Sequence, residues 1–263
     1  HSWAVESTPN PSGALASYLN GVSCVSADSC TAVGSYHPAR SGRNVTLAEH
    51  WDGSTWAIQA TRNPSGSSDS SLLAVSCASA ASCTAAGHAG SSRVNVLLAE
   101  HWDGARWAIQ ATPAPSGSAA SGFFGVSCAG SQCTAAGFSS GSSGSSGSGG
   151  DLTLAERWSG GSWSVQPTPD PAGAADSVFY GISCDQAAAC TAAGEYVTSS
   201  GATDALAESW DGSTWTVQAT PSPSAASVPS SALGGVSCIT AAACTAVGEY
   251  LSGKHFLTLA ERG

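Results

Sequence analysis

The sequence predicts an all-β fold: a five-bladed β-propeller with four antiparallel strands per blade, spread over residues 1–263 as a single domain. Three observations carry that expectation. A unit recurs with its first cysteines spaced by 53, 51, 56 and 54 residues, and periods of this size belong to propellers, solenoids and arrays. Each unit divides into four short strand-like stretches punctuated by Gly, Pro, Ser and Asp. The chain ends are complementary halves of one unit: SWAVESTPNP at the start matches TWTVQATPSP near residue 215, and the C-terminus stops at LTLAERG where other units continue with Trp.

Within a unit, strand one is small and apolar (LAVSC, FFGVSC, FYGISC, LGGVSC) and strand two is CTAVG or CTAAG. Strand three is LAExW, and strand four is W-x-V/I-Q. No stretch has the 3.6-residue period of an amphipathic helix. The Trp pairs Trp51/Trp56, Trp102/Trp107, Trp158/Trp163 and Trp210/Trp215 mark the turn from strand three to strand four. Trp3 stands alone. Ring closure is therefore expected to use the segment around Trp3 to Glu6 as the outer strand of the last blade. A β-solenoid is the alternative, and it would want shorter repeats and capped ends.

Ten cysteines fall into five pairs: Cys24/Cys30, Cys77/Cys83, Cys128/Cys133, Cys184/Cys190 and Cys238/Cys244. Even, regular pairing favours disulfides formed in an oxidising compartment, which places the chain in the secreted or extracellular class. Each pair brackets the first turn of its unit, so each disulfide is expected to join neighbouring strands of one blade. Zinc would want two closely spaced pairs converging on one ion. No metal and no cofactor are expected.

Charged residues make up 10% of the chain, against roughly 25% in an average soluble protein. Mean hydropathy is +0.03, yet no apolar run approaches the ~20 residues of a membrane-spanning helix. Eight Lys and Arg against eighteen Asp and Glu give a net charge of −10. That balance disfavours nucleic acid as a partner, since phosphate binding needs a basic patch, and membrane insertion is not expected. No signal peptide opens the chain at His1, so it reads as a mature or excised segment.

The set SCxSAxxCTAVG, LAExWDGxxW and QxTPxP resembles a repeat of secreted actinobacterial proteins and covers nearly the whole chain. It is also similar to WD40 and kelch blades, because the Trp-Asp of LAEHWDG stands where a WD dipeptide would close strand three. The period is longer than the about 40–45 residues of WD40, the kelch double glycine is missing, and Trp158 is followed by Ser159. The turn WDGSTW is similar to the Asp box of sialidase-type propellers, with its Asp and Gly one residue closer together. The resemblance implies a propeller acting as a lectin-like part of a secreted assembly, antibacterial toxin particles included.

Positions kept in every unit read first as scaffold. The series Glu49, Glu100, Glu156, Glu208 and Glu261 is costly to bury unless hydrogen-bonded. It reads either as a carboxylate taking backbone or Thr hydrogen bonds in each blade, or as five equivalent ligand sites. The Trp positions carry the same pair of readings, interblade packing or sugar platform. His50 and His101 share a position with Arg157, Ser209 and Arg262, an exchange that argues for a solvent-facing site and against a metal.

Function is expected where the units diverge. The one-to-two and three-to-four turns are short and nearly constant, whereas the two-to-three and four-to-one loops differ in every unit. These loops are read as holding Tyr36, His37, Arg40, Arg43, His88, Arg93, Tyr196, Tyr250, Lys254 and His255. Tyr36, His37, Tyr196, Tyr250 and His255 are the expected ligand contacts, the three tyrosines following Gly at one offset so that they lie at one radius. The run Gly141 to Gly150 reads as a tolerated low-complexity insertion, and the sequon at Asn44 as incidental.

Three classes of function compete. A carbohydrate-binding module for cell-surface glycans comes first, and a protein-docking scaffold second. An enzyme is not expected, and no catalytic residue is assigned. Glycoside hydrolysis needs a carboxylate pair at defined separation, and the first strands as read above lack Asp and Glu. Asp69 and Asp176 share one position upstream of their cysteines, with no third unit repeating it.

Overall fold

The computed structural model describes residues 2–39, 42–91, 94–141, 150–221, 223 and 230–263. It is all-β. The first blade comprises β1 (Ala14–Ser26), β2 (Ser29–Pro38), β3 (Val45–Trp51) and β4 (Trp56–Gln59). The second comprises β5 (Asp69–Ser79), β6 (Ser82–Ser91), β7 (Val94–Trp102) and β8 (Trp107–Gln110). The third has β9 (Ser118–Ala129), β10 (Gln132–Gly141), β11 (Asp151–Ser159) and β12 (Ser162–Gln166). The fourth has β13 (Ala174–Gln186), β14 (Ala189–Thr198), β15 (Thr203–Trp210) and β16 (Trp215–Gln218). The last has β17 (Ser231–Thr240), β18 (Ala243–Ser252) and β19 (His255–Arg262).

Each sheet is an antiparallel meander in sequence order, four of them four-stranded and the last three-stranded. Successive sheets meet through their first strands, β1 on β5, β5 on β9, β9 on β13 and β13 on β17. This is the radial stacking of a β-propeller. All five disulfides join directly opposed residues of the first two strands of one blade, as the spacing predicts. The interval from Cys128 to Cys133 is one residue shorter than the others, and it has a local cause. Four blades take up their extra residue in a β-bulge beside the cysteine, and the third has none there.

A second bulge lies in the middle of every first strand, leaving Asn20, Leu73, Phe124, Tyr180 and Gly234 without a partner across the hairpin. It explains the constant glycine of CTAVG. A Cβ on Gly34, Gly87, Gly137, Gly194 or Gly248 would run into the strand-one carbonyl oxygen of Tyr18, Ser71, Gly122, Val178 or Ala232, so only Gly fits.

The core lies between the sheets. Trp107 packs with Leu72, Val75, Ala85 and Leu98 of its own blade on Val33 and Ala48 of the blade before. Trp163 and Trp215 repeat the arrangement one and two blades on. Each buried indole also donates to a glutamine of the preceding blade: Trp107 to Gln59 (2.9 Å), Trp163 to Gln110 (2.9 Å) and Trp215 to Gln166 (3.1 Å). The repeated Trp of strand four is therefore interblade packing.

Two expectations need correction. The segment Trp3 to Glu6 is not paired with the last blade in this structure: residues 2–11 form no strand, and Trp3 and Val5 are fully exposed. Elsewhere strand four is held by the short turn after strand three, where Asp52 accepts the Ser54 and Thr55 amides. The first strands are also longer than expected and include Asp69, Asp176 and Asp185.

The cysteine pairs bracket the first turn as expected, and the second cysteine is in addition packed between blades. Cys133 lies inside β10 and is buried, as are Cys83, Cys190 and Cys244 in their own second strands. The Cys133 sulfur faces the blade before it, 3.4 Å from the Thr84 hydroxyl. The strand-two half of the staple is thus packed into the interface between sheets, because strand two is covered by the neighbouring blade.

Candidate functional site

Across each complete blade the cysteine of strand two pairs with the first Trp of strand three, as Cys30 with Trp51, and that Trp pairs with the next, as Trp51 with Trp56. The rings of each pair lie 5.8–5.9 Å apart. Disulfide and Trp pair thus share one end of the blade, and this end is nearly the same in every unit. Being buried and oxidised, Cys133 offers neither a thiol nor a surface to a ligand, so its part in any site is structural. The unlike residues gather at the other end.

There the structure moves several expected loop residues into strands. Tyr36 and His37 belong to β2, Tyr196 to β14, Tyr250 to β18 and His88 to β6. His255 opens β19 and is exposed, as is Lys254 in the turn before it. The three tyrosines do occupy one register, opposite Ser17, Ser177 and Ser231. All three are half-buried, and the same position is buried in the second and third blades as Ala89 and Ser139. Tyr196 packs against the interface of the third and fourth blades. His37 Nδ1 lies 3.2 Å from Asn44 Oδ1. Arg40, Arg93 and the stretch 142–149 lie outside the described residues.

A second set of candidates escaped the sequence reading. The bulged residues differ in all five blades, and bulges commonly re-aim side chains beside functional sites. In the third and fourth blades they are aromatic. Phe124 stacks on Phe138 with centroids 5.6 Å apart and meets Tyr180 at 5.7 Å. Tyr180 donates its hydroxyl to Glu195 Oε1 (2.8 Å). Burial, then this bond and the Glu195 charge, hold the phenol well above its ordinary pKa, so it remains a donor. Asp151 accepts from Ser140, and its amide donates to Asp176 Oδ1 (3.0 Å). The available signal was the change of this letter from unit to unit, but within FFG and FYG it reads as more core.

The glutamate series resolves differently from blade to blade. Glu49, Glu100, Glu156 and Glu208 are buried, out of reach of a ligand in solvent. Glu100 accepts the Arg62 amide (3.1 Å). The residues equivalent to Arg62 in the next two connectors are Pro113 and Pro169, which have no N–H to give. Both oxygens of Glu156 and Glu208 accordingly lack a partner among the described residues, so the expected hydrogen bond in every blade is not made. Burial raises Glu100 to about 7, and Glu156 and Glu208 to about 8, so Glu156 and Glu208 are largely protonated near neutral pH and Glu100 is divided between its two forms. His50, His101 and Arg157 are half-buried and so not freely solvent-facing: His101 Nδ1 lies 3.4 Å from Thr84 Oγ1, and Arg157 stacks over Trp210.

No protein-family model and no curated protein matches the chain. Solved structures do. The SapL1 lectin in complex with alpha methyl fucoside matches with a TM-score of 0.50 at 10% identity, over 93% of this chain and 76% of the lectin. YCF48 bound to D1 peptide matches at 0.45 and 13% identity, over 92% of this chain and 66% of that one. The GH74 xyloglucanase from Xanthomonas campestris matches at 0.46 and 13%, over 91% of this chain and 44% of the enzyme. The chain thus spans just under two thirds of YCF48 and less than half of the xyloglucanase. At such identities the lectin match speaks for the arrangement of the sheets alone.

Proposed function

We propose that this chain is a secreted recognition module, a propeller that binds carbohydrate and targets a larger protein or assembly to cell-surface glycans. One observation carries the reading: each blade is stapled and invariant at one end and chemically distinct at the other, where Tyr36, His37, Tyr250 and His255 lie. Aromatic rings with polar neighbours suit the apolar face and hydroxyls of a sugar. Five disulfides, no free cysteine and no helix long and apolar enough to cross a membrane, all among the described residues, support secretion. The resemblance to secreted actinobacterial repeats supports it too. In this reading the blades close into a ring, with residues 3–6 as the missing strand.

A docking scaffold is the second reading, favoured by the exposed Tyr18, Phe256 and Leu257. Catalysis is not proposed. Glycoside hydrolysis needs two carboxyl groups facing one sugar ring, and Asp151, Asp176 and Glu195 are engaged with Ser140, the Asp151 amide and Tyr180.

A glycan array on the isolated domain tests the proposal. Competable binding to one glycan class is expected, lost in Tyr250→Ala or His255→Ala at unchanged melting temperature. Silence across the array overturns the carbohydrate reading in favour of docking.

A further inference from the structure

Where the first blade meets the second, the connector after β4 faces the outer strand β8. A groove of about 340 Å³ lies between them, lined by Arg62, Asn63, Arg106, Trp107, Ala108 and Ile109. The repeat supplies its own controls for this place. The positions of Arg62, Asn63 and Arg106 hold Pro113, Ala114 and Ser162 at the next interface, and Pro169, Asp170 and Thr214 at the one after. One interface thus carries two cations, the second no charge, and the third a carboxylate.

The three polar residues are held by bonds that leave donors over. Arg62 is fixed through its backbone, whose amide donates to Glu100 Oε2 (3.1 Å), while its side chain is exposed. Asn63 is fixed through its side-chain oxygen, which accepts the Thr46 amide (3.0 Å). Its side-chain nitrogen keeps two N–H groups to give. The exposed Arg106 pairs with Asp103 through Nε (3.5 Å), so the terminal nitrogens of its guanidinium are left to a ligand. Asp103 Oδ1 is taken by the Ala105 and Arg106 amides (both 2.9 Å). Charge is uneven along the chain in the same sense. Residues 1–110 hold five of the eight Lys and Arg but seven of the eighteen Asp and Glu, of which Glu49 and Glu100 are buried. Arg43 belongs to the same interface, donating to Ser67 O of the connector (3.5 Å). Farther along, Asp170, Asp176 and Glu195 stand in the third and fourth blades, and Arg157 is stacked over Trp210.

We infer that this groove is an anion subsite, in which Arg62, Asn63 and Arg106 hold the carboxylate or sulfate group of an acidic sugar. Their side chains present N–H donors from two guanidinium groups and one carboxamide, and paired guanidinium donors match the oxygens of such anions. A neutral sugar hydroxyl would leave both positive charges unmatched. Ile109, 43% exposed, gives the sugar ring an apolar wall beside them. The field of the chain points the same way. With a net charge of −10, most of the surface repels an acidic ligand, so the one interface that gathers arginines steers it. The inference rests on the carbohydrate reading and deepens it. It adds a charge requirement to the contacts of Tyr36 and His37, which belong to the same first blade.

The test presents the full chain with sulfated, uronate-bearing and matched neutral oligosaccharides on one array, the first two arms separating sulfate from carboxylate. The tightest binder is then titrated calorimetrically into Arg62→Gln, Arg106→Thr and Arg262→Gln, with the melting temperature of each variant as control. Threonine already stands in the equivalent turns as Thr55 and Thr214, so the fold accepts Arg106→Thr. Acidic oligosaccharides should outrank their neutral counterparts. Each groove variant should weaken the acidic one about tenfold at unchanged melting temperature, and raised salt should weaken it further in the parent. Arg62→Lys, which keeps the charge without the fork, should fall between. Arg262→Gln, outside the groove, should change nothing; an equal loss there would mean attraction to overall charge and overturn the subsite. Neutral oligosaccharides bound as tightly as acidic ones, or acidic binding indifferent to both groove variants, would overturn it too and leave the carbohydrate reading standing. Silence across the whole array overturns both.

Discussion

The two ends of each blade follow different rules. At the disulfide end, a straight line of Cys, Cys, Trp and Trp crosses the four strands, and the second Trp plugs into the neighbouring blade. Every residue there touches another repeated residue, so a change in one unit disturbs two. At the opposite end the same register holds Tyr36, Ala89, Ser139, Tyr196 and Tyr250, and the bulge position holds five different side chains. The difference teaches where repetition is a packing requirement and where the scaffold tolerates chemistry.

The comparison breaks most sharply at the buried indoles. Trp163→Ala should cost about 3–5 kcal/mol, the usual range for deleting a buried aromatic, and leave Gln110 without its donor. Denaturant unfolding checks it, and a loss below about 1 kcal/mol would show that the blades are not held by these plugs.

The buried glutamates come next, and here the sign matters. Glu156 and Glu208 have folded pKa values raised to about 8 from 4.5. Their contribution is fully present below about 4.5 and lost as pH rises through about 8, because ionising them inside the fold opposes desolvation. At one pKa unit per ~1.4 kcal/mol, the combined penalty above pH 8 is several kcal/mol. The melting temperature should fall between pH 6 and pH 9, and Glu156→Gln with Glu208→Gln should flatten the profile. A flat wild-type profile would mean that these carboxylates have partners in solution.

The disulfides are a smaller term. Each closes a tiny loop, so replacing Cys184 and Cys190 together by Ser should cost about 2 kcal/mol on the chain-entropy account. Non-reducing peptide mapping should find no pair joining two blades. The smallest effects belong to the variable end. His255→Ala should stay within about 0.5 kcal/mol, whereas Tyr196→Ala should destabilise more, because its ring packs on an interface. Equal effects would erase the distinction between the two ends.

Much of this was legible beforehand because the repeat is its own alignment. The disulfides, the strand-four Trp and the order of the sheets follow from spacing alone. The burial of Cys133 does not, since it depends on the blade that packs over β10. The tyrosines were misplaced onto loops because CTAVG ends in a glycine that reads as punctuation. That glycine is instead forced by the bulge facing it, and the strand runs on through Tyr36 to Pro38. Phe124 and Tyr180 were hidden within apolar runs, since an unpaired bulge residue has no signature in a period-two pattern. The unequal glutamates depend on Pro113 and Pro169, residues of a different blade.

By itself, then, the sequence determined the elements: which stretches become strands, which cysteines pair, and which Trp belongs to which turn, all through contacts close along the chain. Tertiary structure decided what crosses from blade to blade: which carboxylate lacks a donor, and which bulged ring meets its neighbour. Local pattern encodes short-range pairing, but an interface between sheets is set by side chains about fifty residues apart, and a partner's absence is visible only once both faces are in place.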